Sequence, residues 1–165
     1  EKTNAAPFIT MQNPYSLIHR QLEEEHFSLA KHTGVGIMAY SPLGIGLLSG
    51  SYDPKSKPDA GSLWNKPERT DYYSNLMKGR TSELVQMVQN IAEQHNATPA
   101  QIALSWVLSH PEISVAISGA DKEEHIKENI GALEIKLTDE QITDLNNKSK
   151  GLSYVLDGNP EENEL

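Results

Sequence analysis

Apolar positions change their period several times along this chain, and each change marks an element. Residues 8–12, FITMQ, are rich in β-formers and end on a polar residue, Gln12, which predicts a short strand. The loop NPYSLIHR follows it. Over 21–33, Leu22, Phe27, Leu29 and Ala30 form a helical stripe among glutamates, and Gly34 stands where a C-cap glycine belongs. VGIMAY, 35–40, is a continuous apolar run of the length of a buried parallel strand. Leu84, Val85, Val88, Ile91 and Ala92 give an amphipathic helix over 81–95. TPAQIALSWVLSH, 98–110, opens with Thr98, Pro99 and Gln101 in the capping-box arrangement. ISVAIS, 113–118, is a third strand-length run between Pro111 and Gly119. Asp121 with Glu124 predicts the start of a helix over 122–132, and Thr138 with Gln141 caps a last helix ending near Lys148.

Strands alternating with helices predict an α/β fold with a parallel sheet built of βα units. Residues 1–150 read as one unit and the acidic stretch 151–165 as a frayed tail. Three strands leave two open edges, so the layout is incomplete as a free-standing fold. The first residue is Glu1, not methionine, which predicts that the chain was cut from a longer one. Between 51 and 80 no period exists, only Pro54, Pro58, Pro67, scattered charge and the aromatics Trp64, Tyr72 and Tyr73. A stretch of that kind reads as a lid over a site, or as a disordered connector.

Composition removes several function classes. The formal net charge is −9, from 14 Lys plus Arg against 23 Asp plus Glu, with no basic block to meet nucleic acid or an anionic membrane surface. No apolar run approaches the roughly 20 residues of a membrane span. The absence of cysteine excludes disulfides and thiolate chemistry, and with no secretory apolar stretch at the start it suits the cytoplasm. The six histidines lack metal-ligand spacing, with His26 and His32 reading as solvated helix residues, so no metal site is predicted. Glu23, Glu24 and Glu25 read as a solvated helix face. Ser41 lies outside any Gly-x-Ser-x-Gly elbow. What remains is IMAYSPLGIGLLSG, 37–50, a strand that runs into proline and glycines. It is either an ordinary turn or a place where backbone N–H groups approach a phosphate at a strand's C-terminal end. It is neither a Walker loop nor the dinucleotide fingerprint, since Tyr52-Asp53-Pro54 prevents a helix from opening after it.

Taken together, MQNPYSLIHR, GVGIMAYSPLGIGLLSGSYD, TPAQIALSWVLSHPEISVAISGADKEEHIKENIGAL and LTDEQITDL resemble, in order and spacing, the C-terminal half of aldo-keto reductases, from about residue 8 to 148. The likeness is closer to the bacterial reductases and the potassium-channel beta subunits than to the aldose-reductase type, because Gly119 and Ala120 stand where the latter carries lysine and serine. The resemblance implies the C-terminal part of a (β/α)8 TIM barrel: three parallel βα units, strands six to eight, plus a C-terminal helix. It implies an NADP(H)-dependent oxidoreductase that reduces small aldehydes or ketones to alcohols. Gln12 would then bond the nicotinamide carboxamide and Tyr40 would stack on the ring. Ser41, Pro42, Leu43, Gly44 and Gly46 would wrap the pyrophosphate, and Gly119, Ala120, Asp121, His125, Glu128 and Asn129 would surround the adenine ribose and base. Taken singly, Tyr40 also reads as an interior aromatic and Asn129 as a helix-end residue.

Three positions depart from the family pattern. Ser51 stands where lysine commonly follows GLLSG, and Asp121 and His125 stand where serine and arginine or glutamine are common near the 2′-phosphate. A carboxylate there disfavours a phosphate dianion, which brings NAD in beside NADP(H), with Arg69 and Arg80 as candidate compensating cations. The motifs of the family's catalytic tyrosine, lysine, aspartate and histidine do not occur here, so no catalytic residue is assigned and the chain alone is expected to be inactive. The alternatives are a non-catalytic half-barrel or regulatory subunit that binds nucleotide, and a homodimer that takes the place of the missing N-terminal half.

Overall fold

A computed structural model of the protein describes residues 6–53 and 56–152, Glu68 by its backbone only. The elements run β1 (Thr10–Pro14), α1 (Leu22–Thr33), β2 (Gly36–Tyr40), α2 (Pro67–Leu76), α3 (Arg80–His95), α4 (Pro99–Leu108), β3 (Ile113–Ile117), α5 (Glu123–Gly131) and α6 (Asp139–Ser149), with 3₁₀ turns at Leu63–Asn65 and Ala132–Glu134. The three strands form one parallel sheet in the order β1-β2-β3. Pro14 pairs with Tyr40 and Tyr40 with Ile117, so the three C-terminal ends lie level along one rim. The acidic tail beyond Leu152 lies outside the described residues.

Local chemistry accounts for most boundaries. Thr98 accepts from the Gln101 N–H while the Gln101 side chain accepts from the Thr98 N–H, and Thr138 with Gln141 repeats the reciprocal arrangement at α6. Three glutamates in the first turn of α1 complement its dipole, and Gly34, at φ 74°, ends it in the left-handed conformation with its N–H donated to the Ala30 carbonyl. Three readings are corrected. β1 begins two residues later than its β-formers suggest, because pairing with β2 sets the register: Thr10 lies opposite Gly36, and Phe8 and Ile9 stay 90% and 75% exposed. As an edge strand, β1 tolerates Pro14. Residues 51–80 hold α2 and a 3₁₀ turn rather than an open loop. The α5 start is not capped by Asp121: Lys122 is the N-cap residue and no side chain caps it.

The core lies between the sheet and α3 and α4. Leu84, Val85, Val88 and Ile91 of α3 and Ile102, Ala103, Trp106 and Val107 of α4 are buried, as are Ile37 and Ala39 of β2. Burying side chains of this size contributes roughly 1.5–3 kcal/mol each. At the far side of the core, Arg20 joins the loop after β1 to both α1 and α6. Its guanidinium donates to both Glu23 oxygens at 2.7 Å, to the Asn146 carbonyl at 2.7 Å and to Ser149 Oγ at 2.8 Å, and it lies 5.4 Å from the Trp106 ring centroid. Tyr15 Oη donates to the same carboxylate at 2.6 Å and its ring stacks on Trp106. Burial alone would raise the Glu23 carboxyl's pKa, but the hydrogen bonds from Arg20 and Tyr15 outweigh it and hold that pKa below the usual carboxylate range.

This cluster yields a stability prediction. Arg20→Ala leaves the half-buried Glu23 carboxylate without its cation, held by Tyr15 alone, and the Asn146 carbonyl of α6 without its guanidinium donor. We expect it to cost about 2–3 kcal/mol, at the low end for a buried ion pair because both side chains keep some solvent contact. Urea unfolding at pH 7 measures it. Because the Glu23 pKa is depressed in the folded state, its contribution is present above the usual carboxylate range and is lost as pH falls through it; Glu23→Gln should flatten that acid limb.

Candidate functional site

The level rim of strand ends carries the only run of consecutive left-handed residues among those described. Ser41 follows β2 at φ 52°, and Gly44, Ile45 and Gly46 follow at 56°, 54° and 83°. Glycine adopts this region freely, but for the β-branched Ile45 it is strained, and such strain persists only where the surroundings over-determine it. The surroundings here do so. Gly44 N–H donates to the Ser41 carbonyl at 2.9 Å and Leu48 N–H to the Leu43 carbonyl at 3.1 Å, while Leu47 and Leu48 are buried anchors. Trp64, 1% exposed, donates its indole N–H to the Ile45 carbonyl at 3.1 Å. The Tyr52 ring lies so close to Gly46 that a Cβ there would sit 3.2 Å from it, and Tyr52 Oη is 2.7 Å from Ser62 Oγ. Tyr52, Ser62 and Trp64 therefore form a wall that braces the turn.

The turn leaves donors over. The N–H groups of Leu43, Ile45 and Gly46 have no acceptor among the described residues. A short run of such amides at a strand's C-terminal end is a site for an anion's oxygens.

Across from the turn, the segment after β3 and the inner side of α5 complete a groove of about 240 Å³. Leu43, Gly46, Ser49, Ser51 and Tyr52 line one side and Gly119, Asp121, His125, Glu128 and Asn129 the other, with Ala100 at the start of α4 between them. Asn129 Nδ2 donates to the Gly119 carbonyl at 3.4 Å, and Gln101 Nε2 donates to the Glu128 carbonyl at 3.0 Å. The two segments singled out in sequence, 41–46 and 119–129, thus meet in one groove.

The remaining candidates lie around it. Tyr40 ends β2, 37% exposed. Gln12 is exposed in β1, level with Met38. Pro42 and Gly44 are buried within the turn, where a Cβ on Gly44 would collide with Ile18. Ala120 lines instead an apolar groove beside β3 with Val115, Ser118 and Ile130. Arg80 is not a cation of the site: its guanidinium donates to the Lys148 and Lys150 carbonyls at 3.2 and 2.7 Å. Arg69 is absent from the lining too. Sequence reasoning missed Ser49, Tyr52 and Ala100 as wall residues and Trp64 as the brace. The aromatics of the aperiodic stretch were the available signal, since a solvated lid has no use for buried rings. Among the described residues no group of three potential metal ligands occurs, and no helix is long and apolar enough to cross a membrane.

Comparison with known proteins places the fold. The profile of the Aldo/keto reductase family matches residues 1–150, and the chain belongs to that family. It is 36% identical over 139 residues to a probable aldo-keto reductase 1 from Glycine max, covering 84% of this chain and 39% of that protein. It is 30% identical over 145 residues to the aldo-keto reductase yakc [NADP(+)] of Schizosaccharomyces pombe, covering 84% and 41%. The crystal structure of a thermostable aldo-keto reductase, Tm1743, with the inhibitor epalrestat superposes with a TM-score of 0.62 at 29% identity, covering 86% of this chain and 40% of that one. The chain thus spans about 40% of the length of the relatives it matches. Its three parallel βα units superpose on part of an aldo-keto reductase TIM barrel.

The brace is testable. Trp64→Phe keeps a six-membered aromatic ring but removes the pyrrole part that donates to Ile45, and should cost about 1–3 kcal/mol from the lost bond and the small cavity left behind. It should also speed amide hydrogen exchange over 41–50 more than elsewhere. Unchanged exchange in that segment would show that Trp64 does not hold the turn.

Proposed function

We propose that this chain supplies the cofactor-holding part of a cytoplasmic oxidoreductase that reduces aldehydes or ketones to alcohols with a nicotinamide dinucleotide. The observation that carries this reading is the left-handed turn of Ser41–Gly46, with its spare N–H groups, facing Asp121, His125, Glu128 and Asn129 across one groove. The donor set fits the dinucleotide. Amides of Leu43, Ile45 and Gly46 suit a pyrophosphate, the exposed face of Tyr40 at the end of β2 suits the nicotinamide ring, and the carboxylates and amide of the α5 side suit a ribose and base. Gln12, at the same rim, would orient the carboxamide. NADP(H) is the form that family membership suggests, and it is the form named for the fission-yeast relative.

When bound, the cofactor supplies a hydride to the carbonyl carbon. The chain's own residues bind and orient it; they do not protonate the developing alkoxide. The tyrosines nearest in kind are engaged elsewhere: Tyr15 with Glu23, Tyr52 with Ser62, and Tyr73 through its hydroxyl with the Asp53 carbonyl at 3.3 Å. The acid therefore comes from the remainder of a barrel, which would pair with the outer edges of β1 and β3. A second reading, a non-catalytic half-barrel that self-associates, draws on those same open edges and on the exposed Val115, Ile126, Ile130 and Leu133.

Two outcomes are expected. The pure 165-residue chain oxidises neither NADPH nor NADH in the presence of an aldehyde; steady turnover that disappears on mutating one of its own tyrosines would contradict the assignment. Tyr40→Ala should weaken nicotinamide cofactor binding by about 1–2 kcal/mol, measured by fluorescence titration, because it removes a stacked aromatic face. Unchanged affinity would return the glycines to an ordinary turn.

A further inference from the structure

We infer that the adenosine end of the groove reads a free 2′-hydroxyl, so that this chain selects NAD(H) over NADP(H), with Asp121 as the residue that sets the choice. The inference rests on the dinucleotide reading of the groove and adds to it which phosphorylation state is accepted.

Two carboxylates, Asp121 and Glu128, line this end of the groove, and no lysine or arginine does. Neither carboxylate is paired with a cation among the described residues. Asp121 immediately precedes the N-cap residue of α5, yet no side chain caps that helix, and Asp121 has no hydrogen-bond or ion-pair partner among the described residues. Glu128 is held by its backbone carbonyl, which accepts from Gln101, and its carboxylate is unpartnered in the same sense. The cations nearest in sequence are placed elsewhere. Lys127 is paired with Glu123 at 2.6 Å, and Lys122, though next to Asp121, is not part of the lining. The facing wall offers hydroxyls, from Ser49 and Ser51.

Carboxylates and hydroxyls suit a sugar diol. An ionised carboxylate accepts hydrogen bonds from ribose hydroxyls, and an acidic residue at the ribose is how dinucleotide sites commonly recognise NAD, whereas a 2′-phosphate calls for an arginine. A 2′-phosphate brings a charge of about −1.5 to −2 at neutral pH into a cleft that already carries two negative charges. With no lysine or arginine in the lining to offset them, and only the imidazole of His125 beside them, each carboxylate repels it.

The test titrates the full chain with NADH and with NADPH by ligand fluorescence or calorimetry, at fixed low ionic strength. NADH should bind at least about tenfold more tightly, a ratio that shrinks as salt is raised. Asp121→Asn keeps an acceptor oxygen and removes the charge, and should improve NADPH binding about tenfold while changing NADH by about threefold or less. Glu128→Gln should act in the same direction. Equal affinities or tighter NADPH binding in the parent would overturn this inference and leave the dinucleotide reading standing. A parent preference for NADH that Asp121→Asn leaves intact would overturn the role of Asp121. Binding of neither cofactor would overturn the dinucleotide reading, and this inference with it.

Discussion

The hydrogen bond from the Trp64 indole to the Ile45 carbonyl is the contact on which the site depends. Three successive left-handed residues, one of them β-branched, are unfavourable by roughly 1–3 kcal/mol for the strained position. Isolated, this stretch would relax to an ordinary turn. Trp64 prevents that from one side and the buried Leu47 and Leu48 from the other. The result is a turn in which the N–H groups of Leu43, Ile45 and Gly46 have no acceptor among the described residues. Strain, brace and spare donors are one device.

That device explains why a long aperiodic segment is folded. Residues 56–78 bury Trp64, Tyr73 and Met77 in the core, with Trp64 bonded to the turn and Tyr73 packed on Trp64 and Tyr52. Tyr52 links the two jobs, packing on Gly46 while its hydroxyl meets Ser62 at the start of the 3₁₀ turn. At the other end of the core, the Arg20–Glu23–Tyr15 cluster fixes the loop after β1 against α6, so the rim is rigid at the β1 side as well. The groove lies between two braced regions, with α4 and α5 positioned by the same Gln101 that caps α4 and bonds α5.

Elements whose signal is local were legible in the sequence. The two capping boxes, the Gly34 cap and the buried run of β2 each rest on residues a few positions apart. β1 was misplaced by two residues because its register depends on β2, a partner more than twenty residues away. Residues 51–80 read as structureless because their order comes from aromatic rings meeting a distant turn, which leaves no period behind. Asp121 looked like a helix cap because its spacing to Glu124 fits one; in the fold the helix starts at Glu123 and leaves that carboxylate to the groove. The turn at 41–46 was visible as glycines, but neither the strain at Ile45 nor its brace was. Family likeness pointed to residues on both walls, and only the fold brings 41–46 and 119–129 to one cleft.

The central claim is that the spare amides of the turn and the polar side of α5 hold one ligand between them. Backbone amide chemical shifts of the isotopically labelled chain, followed as NADH is added, test it most directly. The account predicts that Leu43, Ile45 and Gly46 move in step with residues 119–129 and saturate at one common affinity. Shifts confined to one wall, or two walls responding with different affinities, would contradict it.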